Sequence, residues 1–401
     1  MKCKKMIAAV VAAVVAASCA LGGCGGKNQQ GGNDISAAES SQMVTSSSAG
    51  SEQSSSPEPS VKPESKTSQP VSNTQESSQI QQPDESSEKE ASTASGKITP
   101  KICEITDDEG HKLYTMGTIH IADESIMNMP AYFETAFAES DSLAVECNNT
   151  DTGFDLLSIT KFMYTDGTKI TDHVSAEDYQ KVLDIVKDSP YYNEIYAYIK
   201  PMMWVSLGEI TAGEKLGMDA KYGVDQMLIN KAVKEGKDVI EVEGTKFQMD
   251  LITDMPENIQ NFLFHSMAQT ENYTDEMSEA LRKTYENWKK GEEIADDDIG
   301  EEELTDEEKQ LLAEYNRILL TDRNVGMADK AERYLASGDT VFMAVGSAHF
   351  YGEGGIYQLL EQRGYHIRQL TDEDAKPVEG PVMESTASTV SETDPGIPRA
   401  A

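Results

Sequence analysis

Between about residues 98 and 372 the chain alternates two hydrophobic rhythms. Short apolar runs are followed by stretches whose apolar positions recur every three or four residues, the pattern of strands alternating with helices. "KICEITDD" and "HKLYTMGTI" flank Glu109-Gly110 and predict a β-hairpin. "PAYFETAFAES" predicts a helix with Pro130 at its first position, and "DSLAVECN" a buried strand centred on Leu143–Val145. Ser175 followed by Asp178 resembles a capping box, opening a helix with Tyr179, Val182, Leu183 and Val186 on one face. "GVDQMLINKAVKEGKDVIEVEG" predicts a helix stopped by Gly236, then the strand "DVIEVE".

The last third is the most regular part. Thr305 and Glu308 cap a helix from Asp306 that turns Leu311, Leu312, Tyr315, Ile318 and Leu319 inward. A second helix over about 325–336 stops at Gly338, and the strand "TVFMAV" follows. After "GSAH" come the helix "GGIYQLLEQR", Gly364 and a last strand "YHIRQL". The fold class expected is α/β, a mixed central sheet flanked by helices.

Outside this region the pattern disappears. Residues 24–97 are rich in Ser, Gln, Pro and Glu, as in "SSSPEPSVKPESKTSQPVSNTQESSQ", too poor in large apolar side chains to offset chain entropy. A disordered tether is expected there, and a loose tail over 376–401, leaving 98–375 as one domain. Ahead of the tether, Lys2, Lys4 and Lys5 precede the apolar run Ile7–Ala17 and then "LGGC". That order reads as a signal peptide over 1–23. The "LGGC" resembles a bacterial lipobox, which implies lipidation of Cys24 and a membrane-anchored domain outside the cytoplasm; Cys19 is a weaker competitor.

With those cysteines set aside, Cys103 and Cys147 remain. They could form one bridge or stay as two buried thiols. The net charge of −36 excludes a phosphate-backbone partner, which needs a basic face, so nucleic acid is not expected. Two conspicuous stretches read blandly. The acidic run 291–309 lacks the spacing of a calcium loop and reads as a solvated connector. The aromatic and Met-rich 191–204 reads as helical core rather than as a peptide groove.

Candidate chemistry lies at the strand ends. Of six histidines, His120 in "MGTIH" and His349 in "VGSAH" each follow a strand and a Gly-x-x turn, opened by Gly117 and Gly346. Ligands of open α/β sheets bind at the carboxyl ends of strands, and a glycine lets the chain turn close to a ligand. Glu146 ends "LAVE", while Glu241 and Glu243 share one side of "VIEVE" by period-two alternation. Two imidazoles with one or two carboxylates suit a Zn, Mn or Co site that activates water. HExxH, G-x-S-x-G and P-loop patterns are lacking.

Three blocks resemble the TraB/PrgY/GumN family, which includes the Tiki metalloproteases: "LYTMGTIHIA" with "VEC", "YGVDQMLINKAVKEGKDVIEVEGTKFQ", and "RNVGMADKAERYLASGDTVFMAVGSAHFYGEGGIYQLLEQRGYHI". The resemblance spans about Lys101 to Leu370. It implies a fold related to erythromycin-esterase-like and ChaN-like domains, and metal-dependent peptide hydrolysis in the Tiki branch. Carried over, His120, His349 and Glu146 would hold the metal and Glu243 would be the base. Arg323 would clamp a carboxylate, steady an oxyanion or pair with an acid. A peptide substrate outside the cytoplasm is thus expected. The alternatives are a noncatalytic lipoprotein that sequesters a peptide signal and a metal-independent His/Glu esterase.

Overall fold

The hairpin at Glu109-Gly110 starts the sheet. In the computed structural model, which describes residues 97–148, 160–293 and 304–377, β1 (Ile102–Thr106) and β2 (Lys112–Thr118) pair antiparallel around a turn where Gly110 takes φ +88°. The signal segment, the tether with Cys24, residues 294–303 of the acidic run and the tail from 378 lie outside the described residues.

The strands β3 (Ser142–Val145), β4 (Asp238–Glu241), β5 (Val341–Gly346) and β6 (His366–Gln369) complete a sheet of order β4-β3-β5-β2-β1-β6. β4, β3, β5 and β2 are mutually parallel, and β1 runs against both β2 and β6. The mixed α/β sheet expected from the alternation is therefore present. β4 is shorter than expected: it ends at Glu241, the chain turns, and Glu241 and Glu243 do not share a strand face.

Several helices follow from their end signals. α1 (Ala131–Glu139) begins one residue later than expected, with Pro130 as its N-cap. α2 (Ala176–Val186) is capped by the Ser175 hydroxyl, which accepts the Asp178 N–H. α3 (Pro201–Lys215) and α4 (Val224–Glu235) come next, and Gly236 closes α4 in the left-handed region at φ +72°. α5 (Thr245–Thr253), α6 (Glu257–Gln269) and α7 (Tyr273–Lys290) lead to α8 (Asp306–Asn316), where Thr305 and Glu308 make the expected capping box. α9 (Asp322–Ser337) does not begin after a break near 325. A π turn over Arg317–Thr321 joins it to α8, so the helical path continues. α10 (Ile356–Gln362) precedes the last strand.

Strands buried on both faces read as unbroken apolar runs, and β5 is such a strand. Phe342 and Ala344 face α1 and α4, where Phe133 and Phe137 pack edge-on against Phe342. Val341, Met343 and Val345 face Met327, Ala328, Ala331 and Leu335 of α9 and Ile356 and Leu360 of α10. Cys103 and Cys147 are buried and not joined in a disulfide, which settles the choice left open.

A separate core is built from the helices α2, α3 and α5 to α8 around Trp204. Within 191–204, Tyr196, Met202, Met203 and Trp204 are core, as expected, while Tyr191, Ile195 and Tyr198 stay exposed. This core also holds a carboxylic acid. Glu209 on α3 is buried, and its Oε1, Tyr273 Oη and Tyr315 Oη have no hydrogen-bond partner among the described residues. Desolvation pushes the Glu209 pKa well up.

A carboxyl that binds its proton more tightly folded than unfolded makes stability fall as pH rises above the ordinary carboxylate range. Glu209→Gln keeps the shape without ionising. It is expected to lose less stability than the wild type between about pH 5 and about pH 8, read from urea midpoints. Equal losses in the two proteins would show that Glu209 does not titrate this way.

Candidate active site

The repeated Gly-x-x-His has a geometric reason. β2 and β5 are parallel neighbours in register, Gly117 opposite Val345 and Thr118 opposite Gly346, so both turns leave the same sheet edge side by side. The Ser347 hydroxyl ties them by donating to the Thr118 carbonyl at 3.0 Å. A Cβ on Gly117 would stand 2.5 Å from Ser347 Oγ, so only glycine fits there. A Cβ on Gly346 would stand 3.0 Å from Glu146 Oε1, the same oxygen that accepts the Gly346 N–H at 2.5 Å.

β3, on the other side of β5, delivers Glu146 to this edge. The chain after β4 crosses it: the amides of Glu243 and Gly244 both donate to the Glu146 carbonyl at 2.9 Å. Arg323, in the first turn of α9, joins the two glutamates. Its Nη2 donates to Glu146 Oε2 at 2.9 Å and to Glu243 Oε2 at 2.7 Å, and its Nε to Glu243 Oε1 at 2.9 Å. The π turn places the Leu319 carbonyl to accept Arg323 Nη1 at 2.8 Å, the kind of local helix distortion often found beside functional groups. Of the roles open to Arg323, the structure shows the ion pair.

Both histidines are buried, with 7% of the surface exposed for His120 and 3% for His349. His349 Nε2 lies 3.7 Å from Glu146 Oε1, and its Nδ1 is 2.6 Å from Asn324 Oδ1. His120 Nδ1 is 2.7 Å from Asp225 Oδ2. Desolvation, helped by the Arg323 charge, pushes the His349 pKa down to about 3, with Glu146 opposing. Burial would raise the Glu146 pKa, but Arg323 first, then both histidines and the Gly346 amide, reverse this and hold it well below the usual range.

The expected residues His120, His349, Glu146, Glu243 and Arg323 thus converge on one sheet edge, with Gly117 and Gly346 shaping it. Cys24 lies outside the described residues. Sequence reasoning passed over Asp225, Asn324 and Gln248, whose Nε2 donates to both Glu146 Oε2 at 2.8 Å and Glu243 Oε2 at 2.9 Å. Each had a local signal: Asp225 opens a helix just after Gly223, Asn324 adjoins Arg323, and Gln248 lies one turn after Gly244.

The model of the TraB/PrgY/gumN family matches residues 102–369, from the first residue of β1 to the last of β6. The chain belongs to the TraB/PrgY/gumN family. It is 24% identical over 264 residues to the uncharacterized protein YbaP of Escherichia coli strain K12, covering 64% of this chain and 90% of YbaP. YbaP of Shigella flexneri matches with the same identity and coverage. No solved structure gives a significant match.

In this TraB-family chain the donors suit a transition metal in kind: two imidazoles and a carboxylate. Two donors of a tetrahedral zinc shell, each about 2.0–2.2 Å from the ion, stand about 3.4 Å apart, near the 3.7 Å between His349 Nε2 and Glu146 Oε1. His120 is close enough for its charge to weigh on both. Two buried oxygens with no partner among the described residues adjoin these groups in the chain or by contact: Thr118 Oγ1 and Gln248 Oε1. Three donor atoms all within 4.8 Å of one another occur among the described residues only at Asp107, Glu109 and His111, in the β1–β2 turn. There His111 is hydrogen-bonded to Asp107. Among the described residues, the donor atoms of His120, His349 and Glu146 therefore do not all lie within that distance of one another.

Proposed function

We propose that this chain is a metal-dependent hydrolase, with peptides as the substrate class. The observation that carries the reading is the pair of buried histidines, each bonded through Nδ1 to a helix residue, beside a buried carboxylate. His120, His349 and Glu146 would hold a Zn, Mn or Co ion, which when bound lowers the pKa of water and polarises a carbonyl. Arg323 and Gln248 fix both carboxylates, and Gly346 N–H fixes Glu146 Oε1. Glu243 Oε2 is loaded by Arg323 and Gln248, while Oε1 receives the Arg323 Nε. That leaves Oε1 as the better placed oxygen to take a proton from water.

The test is the metal content of the purified chain beside His120→Ala and His349→Ala, followed by a peptide-cleavage screen. Near-stoichiometric metal in the wild type, lost in both variants together with cleavage, is the expected result. Cleavage that survives a chelator would favour the metal-independent esterase chemistry. Peptide binding without turnover would favour sequestration.

We also propose that the domain works outside the cytoplasm on a lipid anchor at Cys24, on the strength of "LGGC" after an apolar run and of the long tether. Cys24→Ser is expected to leave the membrane fraction. Unchanged membrane recovery of that variant would remove the anchor.

A further inference from the structure

Each site histidine meets, through Nδ1, a side chain that dictates where its proton sits. Asn324 Nδ2 donates to the Gly354 carbonyl at 3.0 Å, which turns Oδ1, an acceptor, toward His349. An acceptor there demands a proton on Nδ1. The Asp225 carboxylate, which can only accept when ionised, makes the same demand of His120. Both partners are rigidly placed. Asp225 lies in the first turn of α4, which is docked by Val224 N–H on the Ile119 carbonyl at 2.8 Å. Gly223 before it passes so close that a Cβ would stand 2.5 Å from the His120 carbonyl oxygen. Asn324 adjoins Arg323 in the first turn of α9 and is buried.

The competing arrangement is also visible. Glu146 Oε1 is 3.7 Å from His349 Nε2. A neutral imidazole has a single N–H to place, and a buried carboxylate at that distance would draw it to Nε2 if nothing accepted at Nδ1. His349 would then be a donor to Glu146, with no lone pair toward the centre of the site.

We infer that Asn324 and Asp225 are positioning residues that hold His349 and His120 in the Nδ1–H tautomer, so that Nε2 of each keeps its lone pair for a divalent cation. The use of the lone pairs rests on the metal-site reading above, whereas the tautomers do not. An amide and a carboxylate serve the same purpose because each offers an oxygen acceptor on a fixed helix turn. Second-layer contacts of this kind orient metal-binding imidazoles and make them better donors.

The test is long-range nitrogen-15 correlation spectroscopy of the histidine-labelled full chain, free of metal, at about pH 8, where unperturbed imidazole is neutral. Signals are assigned by their loss in His120→Gln and His349→Gln. Both rings are expected to carry the proton on Nδ1. Asn324→Ala is expected to move His349 to the Nε2–H form, and Asn324→Asp to keep Nδ1–H. Asp225→Ala and Asp225→Asn are expected to act on His120 in the same way.

An Nε2–H ring at His349 in the wild type, or an unchanged tautomer in folded Asn324→Ala, overturns the inference. If the alanine variant fails to fold, an Nε2–H ring in Asn324→Asp overturns it instead. Zinc affinity is the second readout: it is expected to fall about 10–100-fold in the alanine variants and to recover in the conservative ones. Nδ1–H rings in a wild type that takes up no Zn, Mn or Co would uphold the tautomers and sink the metal reading.

Discussion

Arg323→Ala is expected to destabilise the fold by about 3–5 kcal/mol, the usual cost of leaving buried charges without their partner. Both partners are affected. Glu146 is 3% exposed and Glu243 has 10% of its side chain exposed, and each would lose a charge-assisted bond to the same guanidinium. The pH dependence gives a sharper signature. In the wild type the Glu146 carboxyl is held below its ordinary value, so its contribution is present above the unfolded carboxylate range and is lost as pH falls. Without Arg323, burial dominates and the same group binds its proton more tightly folded than unfolded. Its contribution then changes sign, and acid favours the variant's fold. Arg323→Lys keeps the charge but not the planar fork and is expected to recover only part of the loss. Urea midpoints at neutral and mildly acidic pH measure both effects. A loss under about 1 kcal/mol, typical of an exposed ion pair, with an unchanged pH slope would mean that Arg323 does not hold the glutamates together.

The fold was legible wherever a local signal acts within a few residues. The Glu109-Gly110 turn, the Thr305–Glu308 capping box and the Gly236 stop all lie where the pattern put them, because turn and cap preferences depend on nearby backbone. Failures came where tertiary contacts decide. The expected break before 325 is instead a π turn, since Arg323 must face Glu146 and Glu243. β4 stops at Glu241 because the next residues bend over the end of β3, with Val242 N–H on the Val145 carbonyl at 2.7 Å. Period-two alternation cannot foresee such a crossing.

The same division runs through the site. His120 and His349 announce themselves by a repeated turn, and the parallel register of β2 and β5 explains the repeat. Asp225, Asn324 and Gln248 reach the site histidines and Glu146 across 105, 25 and 102 residues of sequence. Each also has an ordinary local reading, as an acid near a helix start or a polar residue on a helix, so no spacing rule isolates it.

On the hydrolase reading proposed above, Glu146→Gln is the substitution expected to act most directly on chemistry, lowering turnover by about 10²–10⁴-fold, the range typical of a lost acid, base or charge-bearing group. The carboxylate receives Arg323 Nη2 and Gln248 Nε2 on Oε2 and Gly346 N–H on Oε1. A glutamine can match only one of these oxygens. If its carbonyl takes the Gly346 bond, its NH2 group meets two donors; if it turns over, it meets the Gly346 N–H. Either way the negative charge beside His349 is gone, and a cation at the site loses an anionic ligand. Turnover of a cleaved peptide and calorimetric binding of the same peptide should therefore separate: turnover collapses while binding stays within a few-fold. Turnover within about threefold of wild type, in a variant whose thermal unfolding remains cooperative, would leave Glu146 a structural partner of Arg323, because a difference that small is under 1 kcal/mol of barrier. Parallel loss of binding and turnover would instead show that the carboxylate shapes the site that receives the peptide. The hydrolytic role would then have to rest on Glu243, the other carboxylate that Arg323 holds at this edge.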